Sequence, residues 1–298
     1  MVLVMGDINL DIIVNLREEI NFNTDSQSDI HFQGGGSAAN FSYWLDYLKQ
    51  PAKLIAKTGD DFLVKYLKEE FQDTNIKFIN LISETEQTGS IVVLLNKAGD
   101  RTMITDRAAN LKIQPDDIKE EFFKDIEHFH LGGYSFFGGE NMEKTALKSI
   151  TMAQDMGIPI SFDPSSYAGL EEYGVQKILN QTEGVEFCFP NLEEGRVLTG
   201  KNQPKEITRY LMNYYKNVIL KVGKQGCMLG HNQKTDFIKQ HKKLAEGDTT
   251  GAGDAFAAAF ITSYLKDKDL KKAADFANQI GFECVNKIGG RPPQKEVN

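Results

Sequence analysis

Cysteine is scarce: Cys188, Cys227 and Cys284 are the only three in 298 residues. They are scattered and odd in number, and no CxxC pair occurs. That excludes a zinc knuckle and a disulfide framework, and the thiols read as buried residues of a reducing compartment. Positive charge is also short, with 34 Lys and Arg against 42 Asp and Glu and a net charge of −8. An acidic surface repels phosphate backbones, so neither nucleic acid nor an anionic membrane is an expected partner. No long apolar run is present, and the apolar start reaches Asp7 and Asp11 too soon for a signal peptide. A cytoplasmic location is the expectation. Repeats, low-complexity tracts and Pro/Gly-rich linkers are missing too, so no boundary is expected inside residues 1–298.

Hydrophobic residues, by contrast, make up 41% of the chain, enough for a substantial core. Short apolar runs at 2–5, 53–57, 128–131, 158–162, 185–189 and 218–222 predict buried strands. Helical spacing predicts helices over 37–49, 60–71, 141–156, 174–182 and 205–215. This alternation predicts an α/β fold, a mostly parallel sheet covered by helices on both faces. Two stretches break the rhythm. Residues 9–32 have strand character around a polar middle, and 89–105 read as a hairpin turning at 97–100. Neither has a core of its own. They are expected to pair as a small β-sheet, a lid over about 9–33 and 88–106.

The sharpest chemical signal is Asp248-Thr249-Thr250-Gly251-Ala252-Gly253-Asp254-Ala255-Phe256, followed by an apolar stretch to Leu265 that suits a buried helix. Glycines at a helix N-terminus let backbone N–H groups reach an anion, and the helix dipole adds to the attraction. Asp254 stands beside that anion hole. A carboxylate there repels phosphate unless it serves a purpose, such as taking the proton from an attacking hydroxyl. A plain glycine turn capped by an aspartate is the bland alternative, and the nine-residue string favours the chemical reading.

That string resembles the C-terminal signature of the ribokinase-like (PfkB) carbohydrate kinases, and further landmarks of the family follow in order along the chain. The resemblance implies a ribokinase-like α/β fold and an ATP-dependent, Mg²⁺-using kinase that phosphorylates a hydroxyl of a small sugar or sugar derivative. Asp254 is then the catalytic base, with Gly251, Ala252 and Gly253 as the anion hole. The segment from Gly6 to Asp11 resembles the end of the family's first strand, where Asp11 matches a sugar-binding aspartate. Gly34-Gly35-Gly36-Ser37-Ala38-Ala39-Asn40 is similar to the diglycine motif and implies substrate contacts from Gly35, Gly36 and Asn40. Asn191-Leu192-Glu193-Glu194 matches an N-x-x-E element, which puts Asn191 at the nucleotide and Glu194 at Mg²⁺ through water. The segment from Lys221 through Gly223 to Gly226 resembles the nucleotide-binding segment, with Lys221 where the family often has Thr. Asn278 falls where relatives line the adenine pocket. Arg107, and similarly Asn110, fall near a substrate-contacting position. Asp248 and Gly289-Gly290 match the loops between which some relatives hold a monovalent cation, so K⁺ is a further expectation.

Several features keep plainer readings. His128 and His130 alternate with Phe129 and Leu131 and, with no third ligand nearby, read as core residues. The 19 Phe read as packing. Asp163-Pro164 continues with Ser165, Ser166 and Tyr167 where some relatives have an Arg, which weakens a 2-keto-3-deoxygluconate type of substrate. A nucleoside kinase of the same fold is the alternative activity, with Phe32, Tyr43 and Phe137 available to sandwich a base. A non-catalytic sensor on the same fold has no need of a base such as Asp254. Apolar residues in 12–14 and 91–95 suit a homodimer clasped through the lid, or burial within one subunit.

Overall fold

A computed structural model describes residues 1–96, 101–242, 249–286 and 289–293. The turn expected at 97–100 lies outside them. The chain opens with β1 (Val2–Met5), β2 (Asn9–Leu16) and β3 (Ser28–Gly35), then α1 (Ser37–Tyr47), β4 (Ala52–Thr58), α2 (Phe62–Phe71) and β5 (Ile76–Ile82). Next come β6 (Ser90–Leu95), β7 (Arg101–Asp106), β8 (His128–Gly132), α3 (Glu140–Asp155) and β9 (Ile160–Asp163). Helices α4 (Tyr167–Tyr173) and α5 (Val175–Gln181) lead to β10 (Phe187–Cys188), then α6 (Leu192–Thr199) and α7 (Pro204–Leu211) to β11 (Asn217–Lys221). The strands β12 (Gly226–His231) and β13 (Lys234–Lys239) follow, and α8 (Ala252–Asp267) and α9 (Leu270–Val285) complete the series.

The larger sheet has the order β13-β12-β11-β10-β9-β8-β1-β4-β5. From β11 to β5 every neighbouring pair is parallel, and only β12 and β13 run against their neighbours. Alternation along β1 assigns its side chains to two cores. Val2 and Val4 pack with Phe41 and Trp44 of α1, Leu67 of α2, Phe260 of α8 and Ala277 of α9. Leu3 and Met5 face the opposite layer, with Ile150 of α3, Leu170 of α4, Ile178 of α5, Leu198 of α6 and Leu211 of α7. Helices therefore cover both faces, as the sequence alternation predicts. The pair β12–β13 escapes that pattern, because Gly226 and Gly230 interrupt one strand and polar residues fill much of the other.

Helix α8 is buried from Ala255 to Ile261, with Phe260 packed at 5.5 Å from Phe187 and 5.3 Å from Phe189. His128 and His130 are core residues. Each ring lies 2.8 Å from the single hydroxyl of Ser161, and burial lowers both imidazoles to a pKa of about 3. His130 also stacks on Phe41 at 3.8 Å.

The smaller sheet has the order β3-β2-β6-β7, parallel between β2 and β6 and antiparallel outside. Its two faces differ. Phe32, Ile12, Val92 and Ile104 form one row across all four strands, and Phe32 and Ile104 are 57% and 59% exposed. Asp11, one residue along, points to the other face. β3 runs directly through Gly34–Gly36 into α1, so this sheet is attached to the helix that floors the larger one. No helix among the described residues is long and apolar enough to cross a membrane.

Candidate active site

Parallel strands deliver their C-terminal ends to one edge, where the turns that follow expose polar groups. Here β1 runs into Gly6-Asp7, β9 ends at Asp163 and β11 ends at Lys221. The N-terminus of α8 reaches the same edge. Gly251 caps it in a left-handed conformation (φ 69°), and a Cβ there would also collide with Gly290. Ala252 N–H turns back to the Thr249 carbonyl at 3.2 Å. The amides of Gly253 and Asp254 donate to no main-chain carbonyl among the described residues, as the first turn of a helix leaves them. Lys221 Nζ stands beside them, 3.2 Å from where a Cβ of Gly253 would lie. Open amides, the positive end of the helix dipole and the ammonium thus converge at this point, a chemistry complementary to an anion.

Lys221 is held by Asp163, Nζ to Oδ2 at 2.7 Å. Burial works against its charge, but Asp163 and Glu194 outweigh it and hold the pKa above the usual lysine value. Asn191 and Glu194 form a capping box on α6. Glu194 accepts from the Asn191 amide and carboxamide at 2.7 Å each, and its own N–H donates to Asn191 Oδ1 at 2.9 Å. Burial, reinforced by Asp163, raises Glu194 to a pKa of about 7. A bridge between Asn191 and Lys221 joins this cap to the end of β11.

Asp254 projects from the first turn of α8. Ser37 Oγ donates to its Oδ1 at 2.7 Å, and Asn40 Nδ2 lies 3.5 Å from Oδ2. Burial pushes Asp254 up to about 7; Asp163 adds to the rise, and Ser37, Lys221 and Asn40 oppose it. Gly35 lies against the Asp11 carboxylate so closely that any Cβ would overlap it, and a Cβ on Gly36 would meet the Asp7 carbonyl. Burial raises Asp11 to about 7 as well, opposed by Arg291 and helped by Glu70. The Oδ1 atoms of Asp11 and Asn40 are buried acceptors without a hydrogen-bond partner among the described residues.

Contacts thus gather Asp254, Asn40, Gly253, Lys221, Asn191 and Glu194 about the start of α8 and set Gly35 against Asp11, while three other expected residues have their polar groups engaged elsewhere. Arg107 spends its guanidinium on Asp7, through Nε at 2.7 Å and Nη2 at 3.0 Å, and on the carbonyls of Tyr134 and Phe137. Asn110 is likewise engaged, with Ile8 and Asn9. Asn278 is buried on α9, its amide donating to the Ile238 carbonyl of β13 at 3.1 Å. Asp248 lies outside the described residues. Gly223 and Gly226 shape the turn from β11 to β12, where Val222 N–H donates to the Gly226 carbonyl at 2.8 Å. Two residues at the site carried no expected role. Ser37 was visible only as part of a glycine-rich string, and Asp163 only as a strand-end acid.

The family model for pfkB family carbohydrate kinases matches residues 1–296. The chain is 27% identical over 296 residues to an ATP-dependent ribose-1-phosphate kinase of Halopiger xanaduensis, covering 97% of this chain and 93% of that one. Adenosine kinase from Sinorhizobium meliloti superposes with a TM-score of 0.87 at 19% identity, over 98% of this chain and 95% of that one. An E. coli protein solved under the ribokinase II name with ATP and Mg²⁺ superposes with a TM-score of 0.86 at 24% identity, over 97% and 94%.

Three carboxylates raised to about 7 bear on stability. For each, the folded pKa exceeds the unfolded one, so the folded protein binds more protons between about pH 4 and about pH 7. Their contribution is full below the unfolded value and lost as pH rises through about 7. Urea unfolding of the parent and Asp254→Asn, between about pH 4 and about pH 8, should show the variant gaining on the parent as pH rises to about 7 and no further gain above it. A stability difference independent of pH would contradict the assignment.

Proposed function

We propose a mechanism from one premise: this chain belongs to the pfkB family of carbohydrate kinases, phosphotransferases whose acceptor is an alcohol group. The donor in this reading is ATP, its terminal phosphate set at the start of α8 and its remainder along the turn from Lys221 to Gly226. The observation that carries the reading is Asp254, fixed by Ser37 and Asn40, standing next to two open amides and the Lys221 ammonium. Only a reaction with a proton to remove and an anion to hold makes use of both.

The acceptor hydroxyl donates to the Asp254 carboxylate and loses its proton to it as the oxygen attacks the terminal phosphorus. The bond from that phosphorus to the bridging oxygen breaks, and ADP leaves with the electron pair. Gly253 and Asp254 N–H and Lys221 Nζ offset the charge on the moving phosphoryl group, the main source of rate in such transfers. Mg²⁺, when bound with the nucleotide, supplies further charge neutralisation. Both Glu194 oxygens already accept from Asn191, so that carboxylate suits a cation held through water better than direct ligation.

A polyhydroxylated acceptor fits the opposite wall. The unpartnered oxygens of Asp11 and Asn40 suit hydroxyl donors, and the smaller sheet, which carries Asp11, closes as a lid that keeps water from the phosphate. The aromatic residues favour a sugar over a nucleoside. Phe32 is on the face of the lid away from Asp11, Tyr43 carries Arg291 on its ring at 4.0 Å, and Phe137 packs on Tyr173. Arg107 and Asn278 support walls of the cleft in this reading and do not contact ligands directly. A panel of ribose, fructose, ribose 1-phosphate and adenosine in a coupled ADP assay separates the acceptor classes.

Asp254→Asn should fold, bind ATP and lose about a hundredfold or more in kcat, the scale of a general base. Turnover near the parent rate would remove Asp254 from the chemistry. A K⁺ ion near Gly251 and Gly290 belongs to the same reading, as a stiffener of the anion hole. Comparing kcat in K⁺ and in a large organic cation at equal ionic strength tests it, and equal rates would reject it.

A further inference from the structure

Arg291, in the turn after α9, is 8% exposed and lies far in sequence from everything it touches. Its Nη1 pairs with Glu70 of α2, and its guanidinium covers the Tyr43 ring of α1 at 4.0 Å. Nε and Nη2 have no hydrogen-bond partner among the described residues. Glu70 also accepts from the Gly34 amide at 3.2 Å. A Cβ on Gly34 would overlap both the guanidinium and Glu70, whereas a Cβ on Gly35 would overlap the Asp11 carboxylate. The last two residues of β3 are therefore flanked by the Arg291–Glu70 pair on one side and by Asp11 on the other. Only the thickness of a bare strand separates them. The neighbouring Gly290 accepts from Trp44 Nε1 at 2.9 Å and packs on Gly251. One turn thus touches the root of the lid and the cap of α8.

We propose that Arg291 is a positioning residue for the acceptor: clamped by Glu70 and Tyr43, it lends Asp11 the positive charge that favours a carboxylate for substrate hydroxyls. Glu70 acts in the opposite electrostatic sense while holding Arg291 in place. The remaining neighbours of Asp11 are neutral, Gln33 on β3 and Ile91 on β6. His31 is one pair further along the same face, and Asp254 on α8 is engaged by Ser37 and Asn40. The arrangement accounts for a buried arginine that caps no helix and for the two successive glycines that bring it close. It rests on the acceptor reading above for its kinetic consequence, and on geometry alone for its charge coupling.

The test is a titration of the full chain carrying [γ-¹³C]aspartate, with the Asp11 resonance assigned by its loss in Asp11→Asn. Arg291→Gln should move the Asp11 midpoint up by about one unit and Glu70→Gln should move it down by a similar amount. Arg291→Lys, which keeps the charge, should stay near the parent. A merely structural role would not give opposite signs, and midpoints that stay put or move together would overturn the coupling. Should Arg291→Gln not fold, Glu70→Gln alone decides by the direction of its shift. In the ADP assay with ribose and ribose 1-phosphate, acceptor KM should follow the Asp11 midpoint while kcat holds. Shifted midpoints with an unchanged KM profile would overturn the role of Arg291 in acceptor binding and leave the kinase reading standing.

Discussion

The structure is organised around an electrostatic conflict at the start of α8. Asp254 is taken out of water into a cleft that already holds Asp163 and Glu194, with Lys221 as their cationic partner. Desolvation penalises every one of these charges. The cleft tolerates them because each has a defined partner: Ser37 for Asp254, Lys221 for Asp163 and the Asn191 cap for Glu194. Such an arrangement is held at a cost in stability.

The apolar framework holds that conflict in place. A helix that begins in a charged cleft must be anchored elsewhere, and α8 is anchored by burying a continuous segment from Ala255 to Ile261. Small residues at 257–259 let it lie close to α1, which carries Ser37 and Asn40 to the same point. Asp254 and its supporting hydrogen bonds therefore come from two helices packed on one face of the sheet, while Lys221 and Asp163 come from strand ends within it. The lid enters through β3, whose glycines bring Asp11 on one side and Arg291 on the other into contact with the main chain.

Much of this is legible in the sequence. The alternation of strand and helix, the two lid segments and the glycine string ahead of α8 all follow from local pattern, because periodicity and helix-start chemistry are local properties. The pair β12–β13 did not follow, since glycines and polar residues blur its period. At the site, Asp254 and Asn40 could be singled out from their motifs. Ser37 sits 217 residues from the carboxylate it supports, and Arg291 sits 221 from Glu70. Contacts of that range arise only from packing. For Arg107 and Asn278 the motif position was visible, but the partners that occupy their polar groups, Asp7 and the carbonyl of Ile238, come from elements far along the chain.

The central claim is that the first turn of α8 receives the phosphoryl group while Asp254 meets the hydroxyl that attacks it. A crystal structure of the protein with Mg²⁺, a non-hydrolysable ATP analogue and the acceptor chosen by the panel tests this most directly. The account predicts terminal phosphate oxygens within about 3 Å of the Gly253 and Asp254 amides, with an acceptor hydroxyl donating to Asp254. A terminal phosphate bound away from that turn, or an acceptor with no hydroxyl near Asp254, would contradict it.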